Sequence, residues 1–152
     1  MLDEVSLEIL KILQEKARIP NVEVSRRIGL APSAVLERIR KMENQGIIDG
    51  YEVKLNPEKF NRTQVAFVHV KVNVPMDEIV GERLSKIPEI QEIHFVSGSD
   101  SYLIKIRTSD NHALCNILQQ QISTIEGVIS TNTETVLSTI KETNRIQLPL
   151  PK

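Results

Sequence analysis

Hydrophobic side chains recur at intervals of three and four residues through the first third of the chain. This spacing is typical of amphipathic helices that pack on a common core. Gly29 and Gly46 follow two of these stretches, at positions where a left-handed residue commonly ends a helix. The predicted elements are a helix over about residues 4–16 capped by Asp3, a helix capped by Asn21 and ending at Ile28, a helix from Pro32 to about Gln45, and a turn or short strand over residues 47–55.

The pattern changes to alternation from residue 64 onwards. Val68, Val70 and Val72 fall on one face of an extended segment, whereas Phe67 and His69 fall on the other. Further along the chain, segments with the alternation of a strand and segments with the three- and four-residue spacing of a helix follow one another. The predicted elements are strands over residues 64–74, 90–97, 101–108 and 128–140, a helix that starts at Pro75-Met76-Asp77 and is ended by Pro88, and a helix that is capped by Asp110 and ended by Gly127.

The order βαββαβ predicts a ferredoxin-like arrangement, so the fold class is α+β. Helices cover only one face of such a sheet. The other face carries the apolar Phe67 and is therefore predicted to pair with a second subunit. The predicted organisation is a helical domain over residues 1–55, a linker over 56–63, the βαββαβ domain over 64–145 and a C-terminal tail over 146–152.

Composition favours a protein that associates with copies of itself. The chain has 152 residues and 3% aromatic side chains, so two domains each have a thin core and partner subunits are expected to add burial. Residues 1–4 lack the basic residues and the apolar run of a signal peptide. No apolar run in the chain approaches the roughly 20 residues that cross a bilayer. A cytoplasmic protein with no membrane partner is expected. Cys115 is the only cysteine, which excludes an intrachain disulfide, and no metal site or cofactor is predicted.

Residues 21–40 fit the pattern of a helix-turn-helix. The motif needs a small residue where its helices cross, which is Ser25, and a glycine and an apolar residue in the turn, which are Gly29 and Leu30. The net charge of −1 gives no overall nucleic-acid signal, but residues 21–45 carry five Lys or Arg against three Glu, a local excess of +2. The alternative is an ordinary helical hairpin without a role in DNA binding, because its helices need the same residues to pack. The preceding helix and the following Gly-Ile-Ile turn favour a DNA-binding motif over that alternative. The interior positions of the two helices are apolar at Val24, Ile28, Val35 and Ile39.

One face of the third predicted helix is turned away from the protein. At about 100° per residue, Val35, Ile39 and Met42 point inward and the opposite face would enter a major groove. Small side chains there permit close approach, and cations can contact phosphate or guanine. The alternative is a solvated face with a Glu37–Lys41 pair. The predicted DNA-contacting residues are Arg26, Arg27, Pro32, Ser33, Ala34, Glu37, Arg38, Arg40 and Lys41.

Short motifs along nearly the whole chain together point to one family. They are LKILQEKAR from Leu10, IGLAPS from Ile28, ERIRKME from Glu37, GIIDGY from Gly46, LNP from Leu55, VSG from Val96, YLI from Tyr102, IEGV from Ile125 and KETNR from Lys141. In these motifs the chain resembles the Lrp/AsnC family of leucine-responsive, or feast/famine, regulators. The resemblance implies a winged helix-turn-helix, a second domain that regulates amino-acid metabolism, and dimers that assemble into tetramers or octamers. It also implies an amino acid bound between dimers near the turn at Gly98.

The same resemblance implies an effector region around the turn at Gly98, because a turn can offer backbone N–H groups to a carboxylate. Two positions depart from the family pattern. Members usually have Asp directly before the Tyr, where this chain has Ser101, and often have a capping Ser where it has Ala31. The first departure puts the effector itself in doubt. The implied effector-binding residues are Gly98, Ser99, Asp100, Ser101, Tyr102, Thr131 and Thr133.

Two other functions are open at this stage. Because of Ser101, the chain could be an architectural DNA-binding protein that takes no effector. It could also be an enzyme, since some proteins similar to this family decarboxylate a tetrapyrrole with His and Arg residues. His69, His94 and Lys105 could share the uncovered sheet face, although histidines there are more often interface residues. A regulator that is not an enzyme is the expected function.

Overall fold

The computed structural model describes residues 2–149. The chain divides into two compact units, Met1–Lys54 with Glu142–Lys152 and Leu55–Lys141. We call the first the helical unit and the second the sheet unit. Leu150, Pro151 and Lys152 of the predicted tail lie outside the described residues.

The helical unit is built on three helices, as predicted. They are α1 (Glu4–Glu15), α2 (Asn21–Ile28) and α3 (Pro32–Asn44). Asp3 caps α1, because its Oδ1 accepts the Ser6 backbone N–H at 2.8 Å. Apolar side chains from all three helices meet in one core, which includes the fully buried Ile9, Val24 and Val35.

The start of α2 differs from the prediction that Asn21 caps it. The helix begins at Asn21, and the preceding Pro20 occupies the cap position without a side-chain hydrogen bond. The reason is that the Pro20 carbonyl accepts the backbone N–H groups of Glu23 and Val24, at 2.9 and 3.2 Å. The first turn therefore closes one residue earlier than the cap preference of Asn suggests.

The segment after α3 is a turn rather than a strand. Gly46 has a left-handed conformation, with φ of 66°, and follows the last turn of α3. Residues 50–56 form neither helix nor strand, and a short 3₁₀ helix follows at Pro57–Phe60 within the predicted linker.

The sheet unit has the predicted βαββαβ order. The elements are β1 (Gln64–Val72), α4 (Glu78–Ser85), β2 (Ile90–Val96), β3 (Ser101–Thr108), α5 (Asn111–Ile117) followed by a π-helical turn (Leu118–Ile122), and β4 (Val128–Thr135). The sheet has the strand order β2-β3-β1-β4, and every neighbouring pair is antiparallel. This is the ferredoxin-like arrangement that the order of strands and helices predicted.

Both helices of the sheet unit pack on one face of the sheet. Val68 and Val70 of β1 are fully buried on that face, together with Ile104 of β3, under Val80 and Leu84 of α4. Burial of each such side chain contributes about 1.5–3 kcal/mol. The opposite face carries Phe67, His69, Leu103 and Lys105, which are register partners across β1 and β3.

The predicted ends of two strands in the sheet unit were wrong. The last strand ends at Thr135, the register partner of Ala66, rather than at residue 140. Beyond this pair β1 has only Val65 and Gln64 left, and one further hydrogen bond joins the Val136 N–H to the Val65 carbonyl at 2.9 Å, so the pairing cannot reach residue 140. Likewise β1 ends at Val72, so Val74 is exposed rather than part of the buried face.

None of the helices within residues 2–149 has the length and apolar character needed to cross a bilayer.

Candidate nucleic-acid interface and effector region

The turn between α2 and α3 is closed by a single serine. Gly29 is left-handed, with φ of 71°, and both its N–H and that of Leu30 donate to the Ser25 carbonyl, at 2.9 and 3.3 Å. The Ser25 hydroxyl donates to the Leu30 carbonyl at 2.5 Å. The sequence analysis accounted for Ser25 by the need for a small residue where the helices cross. In the structure its hydroxyl also fixes the direction in which α3 leaves the turn.

The outward face of α3 is accessible to a ligand. Ser33, Glu37, Arg40 and Lys41 are exposed and Ala34 is half-buried, whereas Val35, Ile39 and Met42 are buried as predicted. Within the described chain no hydrogen bond or ion pair engages the side chain of Arg40 or Lys41, and no ion pair joins Glu37 to Lys41. Two cationic side chains on this face therefore have no partner within residues 2–149. Pro32 occupies the first turn of α3, and Ala31 precedes it without a side-chain capping bond.

Arg38 differs from its neighbours on α3. Its Nη1 donates to Asp3 Oδ2 at 2.6 Å and to Ser6 Oγ at 3.1 Å, so this guanidinium ties α3 to the first turn of α1. The hydrogen bonds from Ser6, together with that from Arg38, hold the pKa of the Asp3 carboxyl well below its usual range. Arg38 as a DNA contact remains a prediction, and its position between the two helices gives it a structural partner already.

Arg26 and Arg27 share one carboxylate. Their guanidinium groups lie 3.2 and 3.5 Å from the two oxygens of Glu23. All three side chains are substantially exposed, so these ion pairs contribute little to folding and can exchange with another anion at small cost. The two arginines lie at the end of α2, on the same helix-turn-helix as the free cations of α3.

The implied effector turn lies at the end of the sheet where β1 finishes and α4 begins. Tyr102 is buried on the helix-covered face, and its hydroxyl donates to the Asp77 carbonyl at 2.8 Å. A Cβ on Gly81 of α4 would lie 3.0 Å from that hydroxyl, so the glycine gives the ring room beneath the helix. Burial, followed by the charges of Asp77 and Glu78, raises the pKa of Tyr102. Within the turn itself, Asp100 rather than Gly98 is left-handed, with φ of 47°.

Ser101 points to the opposite face of the sheet from Tyr102. Its buried hydroxyl lies 2.6 Å from Ser99 Oγ and 3.2 Å from His69 Nδ1, and Ser99 Oγ lies 3.3 Å from the same nitrogen. His69 is thus a partner of the turn, whereas the sequence analysis considered it for an enzyme and for a subunit interface. Ser101 pairs with Lys71, two residues along β1 from His69, so alternation places His69 and Ser101 on the same face of the sheet once the register is known.

The implied effector residues do not form one cluster in a single chain. Thr131 and Thr133 are the register partners of Val70 and Val68, so they share the helix-covered face with Tyr102 and not with Ser101. Strand β1 lies between β4 and β3. Gly98, Ser99 and Asp100 are all exposed in the turn. The structure therefore brings the turn and the start of β4 to one end of the sheet, with side chains on both of its faces.

The two histidines considered for an enzyme, His69 and His94, lie on the same face of the sheet but on strands that are not neighbours. His69 and His94 both pair with Leu103 of the intervening strand, and neighbouring strands lie about 4.8 Å apart. His94 Nε2 lies 3.1 Å from Glu92 Oε1, and Lys105 Nζ lies 3.4 Å from the other oxygen of that carboxylate. The hydrogen bond to His94, together with the charge of Lys105, lowers the pKa of Glu92 although partial burial opposes this. These contacts are typical of a polar network on a sheet face.

Family models match both halves of the chain. One for winged helix-turn-helix DNA-binding domains matches residues 2–49, and one for the Lrp/AsnC ligand-binding domain matches residues 65–146, more than half of the chain. The chain belongs to the Lrp/AsnC family.

Relatives and solved structures agree with this assignment. The leucine-responsive regulatory protein of Escherichia coli K12 is 38% identical over 148 residues, which are 95% of this chain and 90% of that protein. A transcriptional regulator of Neisseria meningitidis in complex with L-methionine has a TM-score of 0.92 at 31% identity, with 97% of each chain covered. The feast or famine regulatory protein of M. tuberculosis, complexed with L-methionine, has a TM-score of 0.88 at 29% identity, covering 98% of this chain and 100% of that one.

This Lrp/AsnC protein is a DNA-binding transcription regulator with a winged helix-turn-helix followed by an α+β domain. Its relatives are named as regulators.

Proposed function

We propose that the outward face of α3 reads DNA in the major groove and that an amino acid bound near the turn at Gly98 modulates this binding. The observation that carries the DNA surface is a pair of cationic side chains on α3, Arg40 and Lys41, which have no partner in the described part of the chain and lie beside the exposed Ser33. Small residues near the start of a recognition helix let it approach base edges, and cations contact phosphates or guanine.

The remaining DNA contacts are assigned by position. Ser33, Ala34 and Glu37 lie on the same outward face as the two cations, so they are the residues we expect at base edges. Arg26 and Arg27 can exchange Glu23 for phosphate, because their ion pairs are exposed. Pro32 and Arg38 support the start and the packing of α3, and we rank them last as direct contacts.

The effector proposal rests on the turn and on the structural relatives. Two of the latter are complexes with L-methionine, and they share the fold of this chain over nearly its full length. Exposed backbone at Gly98, Ser99 and Asp100 can take a carboxylate, and polar side chains at the start of β4 lie at the same end of the sheet. An amino acid is the class of ligand that this arrangement fits best.

Association of subunits would complete the effector region. The sheet face with Phe67 and Leu103 has neither α4 nor α5 upon it, and Phe67 is 37% exposed. We infer that this face pairs across a homodimer and that dimers assemble further to a tetramer or octamer. The protein would then act in the cytoplasm as a regulator without enzymatic activity, because its relatives are regulators and His69 and His94 are engaged in polar contacts.

A thermal-shift screen of the full chain against the twenty amino acids tests the effector proposal. A ligand at 100 times its Kd stabilises a protein by about 2.7 kcal/mol, which is readily measured as a higher melting temperature. We expect one or a few amino acids, L-methionine among the first to be tried, to give this shift. A uniform absence of any shift would contradict the proposal.

One observation favours a second function, that of an architectural DNA-binding protein without effector. Ser101 stands where members of the family usually have Asp, and its hydroxyl is already held by Ser99 and His69. No carboxylate is therefore available at that position to hold an ammonium group. The same screen distinguishes the two functions, because an architectural protein binds DNA and shows no shift with any amino acid.

A further inference from the structure

The end of the chain returns to the helical unit. Residues 142–149 follow the sheet unit in sequence but pack with α1, and Leu148 lies against the core of the helical unit. The sheet unit is consequently joined to the helical unit by two covalent connections, one at each of its ends, between Lys54 and Leu55 and between Lys141 and Glu142.

One side chain of α1 holds this segment by its backbone. Gln14 Nε2 donates to the Ile146 carbonyl at 3.0 Å, and Gln14 Oε1 accepts the Ile146 N–H at 2.9 Å. A single amide thus satisfies both backbone groups of one residue, as a neighbouring strand would. A side-chain amide suits this pairing because it carries a donor and an acceptor side by side.

A second contact follows directly along α1. Arg145 Nη2 donates to the Glu15 carbonyl at 3.4 Å, at the last residue of the helix. Carbonyls in the last turn of a helix lack an intrahelical partner, and a cation there also complements the helix dipole. Within the segment, the Arg145 N–H donates to Thr143 Oγ1 at 3.1 Å, and this bond restrains the backbone between the two residues.

Helix α1 is therefore fixed at both of its ends. Its first turn is bound to α3 through Asp3, Ser6 and Arg38, and its last turn is bound to the C-terminal segment through Gln14. Between these ends α1 contributes Ile9 and Leu10 to the core on which α2 and α3 pack. A change in the position of α1 would accordingly shift the helix that carries the DNA surface.

We propose that residues 142–149 form a strap that completes the DNA-binding unit, and that Gln14 is the positioning residue that holds it. The strap gives the recognition helix a second connection to the sheet unit, through β4 and the residues after it. The effect on DNA affinity rests on the proposed function of α3, whereas the attachment of the strap to α1 does not.

A double-mutant cycle in the full chain tests the strap. Gln14→Met keeps the length of the side chain and removes both hydrogen bonds, and Ile146→Pro removes the N–H that Gln14 accepts. Each is expected to raise the Kd for DNA about three- to tenfold, the size typical of one or two lost hydrogen bonds. The double variant should be no weaker than the worse single variant, because both remove the same interaction. Additive effects, or none in either variant, would overturn the proposal.

The salt dependence of binding separates positioning from direct contact. Gln14→Met should leave the slope of log Kd against log salt unchanged, whereas Lys41→Ala should lower it by about 1. A lower slope in Gln14→Met would mean that Gln14 itself contacts DNA, against the proposal. Gln119→Met, an exposed glutamine of the sheet unit, is the matched control and should change neither quantity. Should Ile146→Pro fail to fold, hydrogen exchange in Gln14→Met tests the attachment of the strap without it.

Hydrogen exchange gives a measurement that does not depend on DNA. The Ile146 amide should be protected in the natural chain and should lose its protection in Gln14→Met, together with faster exchange in the last turn of α1. An unprotected Ile146 amide in the natural chain would overturn the strap. If instead the strap behaves as expected and Arg40→Ala with Lys41→Ala leaves DNA binding unchanged, the proposed surface of α3 is at fault.

Discussion

The helical unit and the sheet unit differ in how complete their candidate sites are within one chain. On α3 the exposed residues share one face, and the side chains of Arg40 and Lys41 have no partner within residues 2–149, so the proposed DNA surface lies entirely on one helix. In the sheet unit Tyr102 and Ser101 are adjacent in sequence and point to opposite faces, one under α4 and the other toward His69. A recognition surface on one helix needs only that helix to be held in place, whereas an effector site at the end of a sheet needs partners from more than one element or subunit.

The largest expected effect comes from removing the two unpartnered cations of α3. Arg40→Ala combined with Lys41→Ala should raise the Kd for DNA about 30-fold or more, because each such contact is worth about 1–3 kcal/mol. The melting temperature should change little, since neither side chain has a partner among residues 2–149. Fluorescence anisotropy measures the Kd. The matched control is Lys16→Ala with Lys54→Ala, which removes two exposed charges elsewhere. Equal weakening in both pairs would show only a general charge effect.

In the sheet unit the sharpest test is at Gly81. Gly81→Ala places a methyl group 3.0 Å from the Tyr102 hydroxyl, and overpacking of this kind costs about 1–3 kcal/mol. Ala is about 1 kcal/mol more favourable than Gly inside a helix, so the net cost is smaller than that of the overpacking alone. A Tyr102→Phe background loses the closest contact but keeps the ring carbon Cζ at 3.3 Å, so the same substitution should cost less there than in the natural chain. Denaturant unfolding of the four chains measures this, and the same cost in both backgrounds would mean that the hydroxyl does not set the packing of α4.

A smaller gain is expected at the start of α3. Ala31 has the extended backbone of a helix cap, with φ of −65° and ψ of 145°, but no side-chain acceptor. Ala31→Ser should therefore stabilise the helical unit by about 0.5–2 kcal/mol. Ala31→Val, which has no acceptor, should give no gain. Thermal unfolding compares the three chains, and an equal response to Ser and Val would rule out capping as the cause.

The smallest effect concerns the charge of Asp3. Because its folded pKa lies well below the usual value, the ionised carboxylate stabilises the native state above about pH 4 and this contribution is lost as the pH falls further. Asp3→Asn keeps an oxygen that can cap α1 and removes the charge. The natural chain should therefore unfold at higher urea than the variant at pH 7, and the gap should narrow near pH 3. A gap that widens in acid would contradict this assignment.

Sequence reasoning went furthest where structure is decided by near neighbours. Gly29, Ser25 and Leu30 act within six residues of one another, and their turn was predicted correctly. In contrast, the contact between Arg38 and Asp3 spans 35 residues and was not predicted. The sequence placed Arg38 beside the outward face of α3, whereas its side chain joins α3 to the start of α1. Local periodicity gives the face on which Arg38 lies but not the carboxylate that it meets.

The same limit explains the errors in the sheet unit. The last strand was predicted to run to residue 140, yet its last register partner is Ala66, and Leu137 and Ile140 beyond it are almost fully exposed. The helix before Gly127 was predicted as continuous, and its π-helical turn at Leu118–Ile122 has no signal in the side chains. Contacts such as that of Gln14 with Ile146, which are 132 residues apart, are set by the tertiary fold alone.

The most direct test is the affinity of the full chain for the DNA upstream of its own gene, measured by fluorescence anisotropy over a salt series with and without L-methionine. We expect nanomolar-range binding that weakens steeply with salt, survives competitor DNA and changes by about 5- to 150-fold when the effector binds. Failure of a folded, dimeric protein to bind this DNA specifically would contradict the account of α3 as its recognition surface.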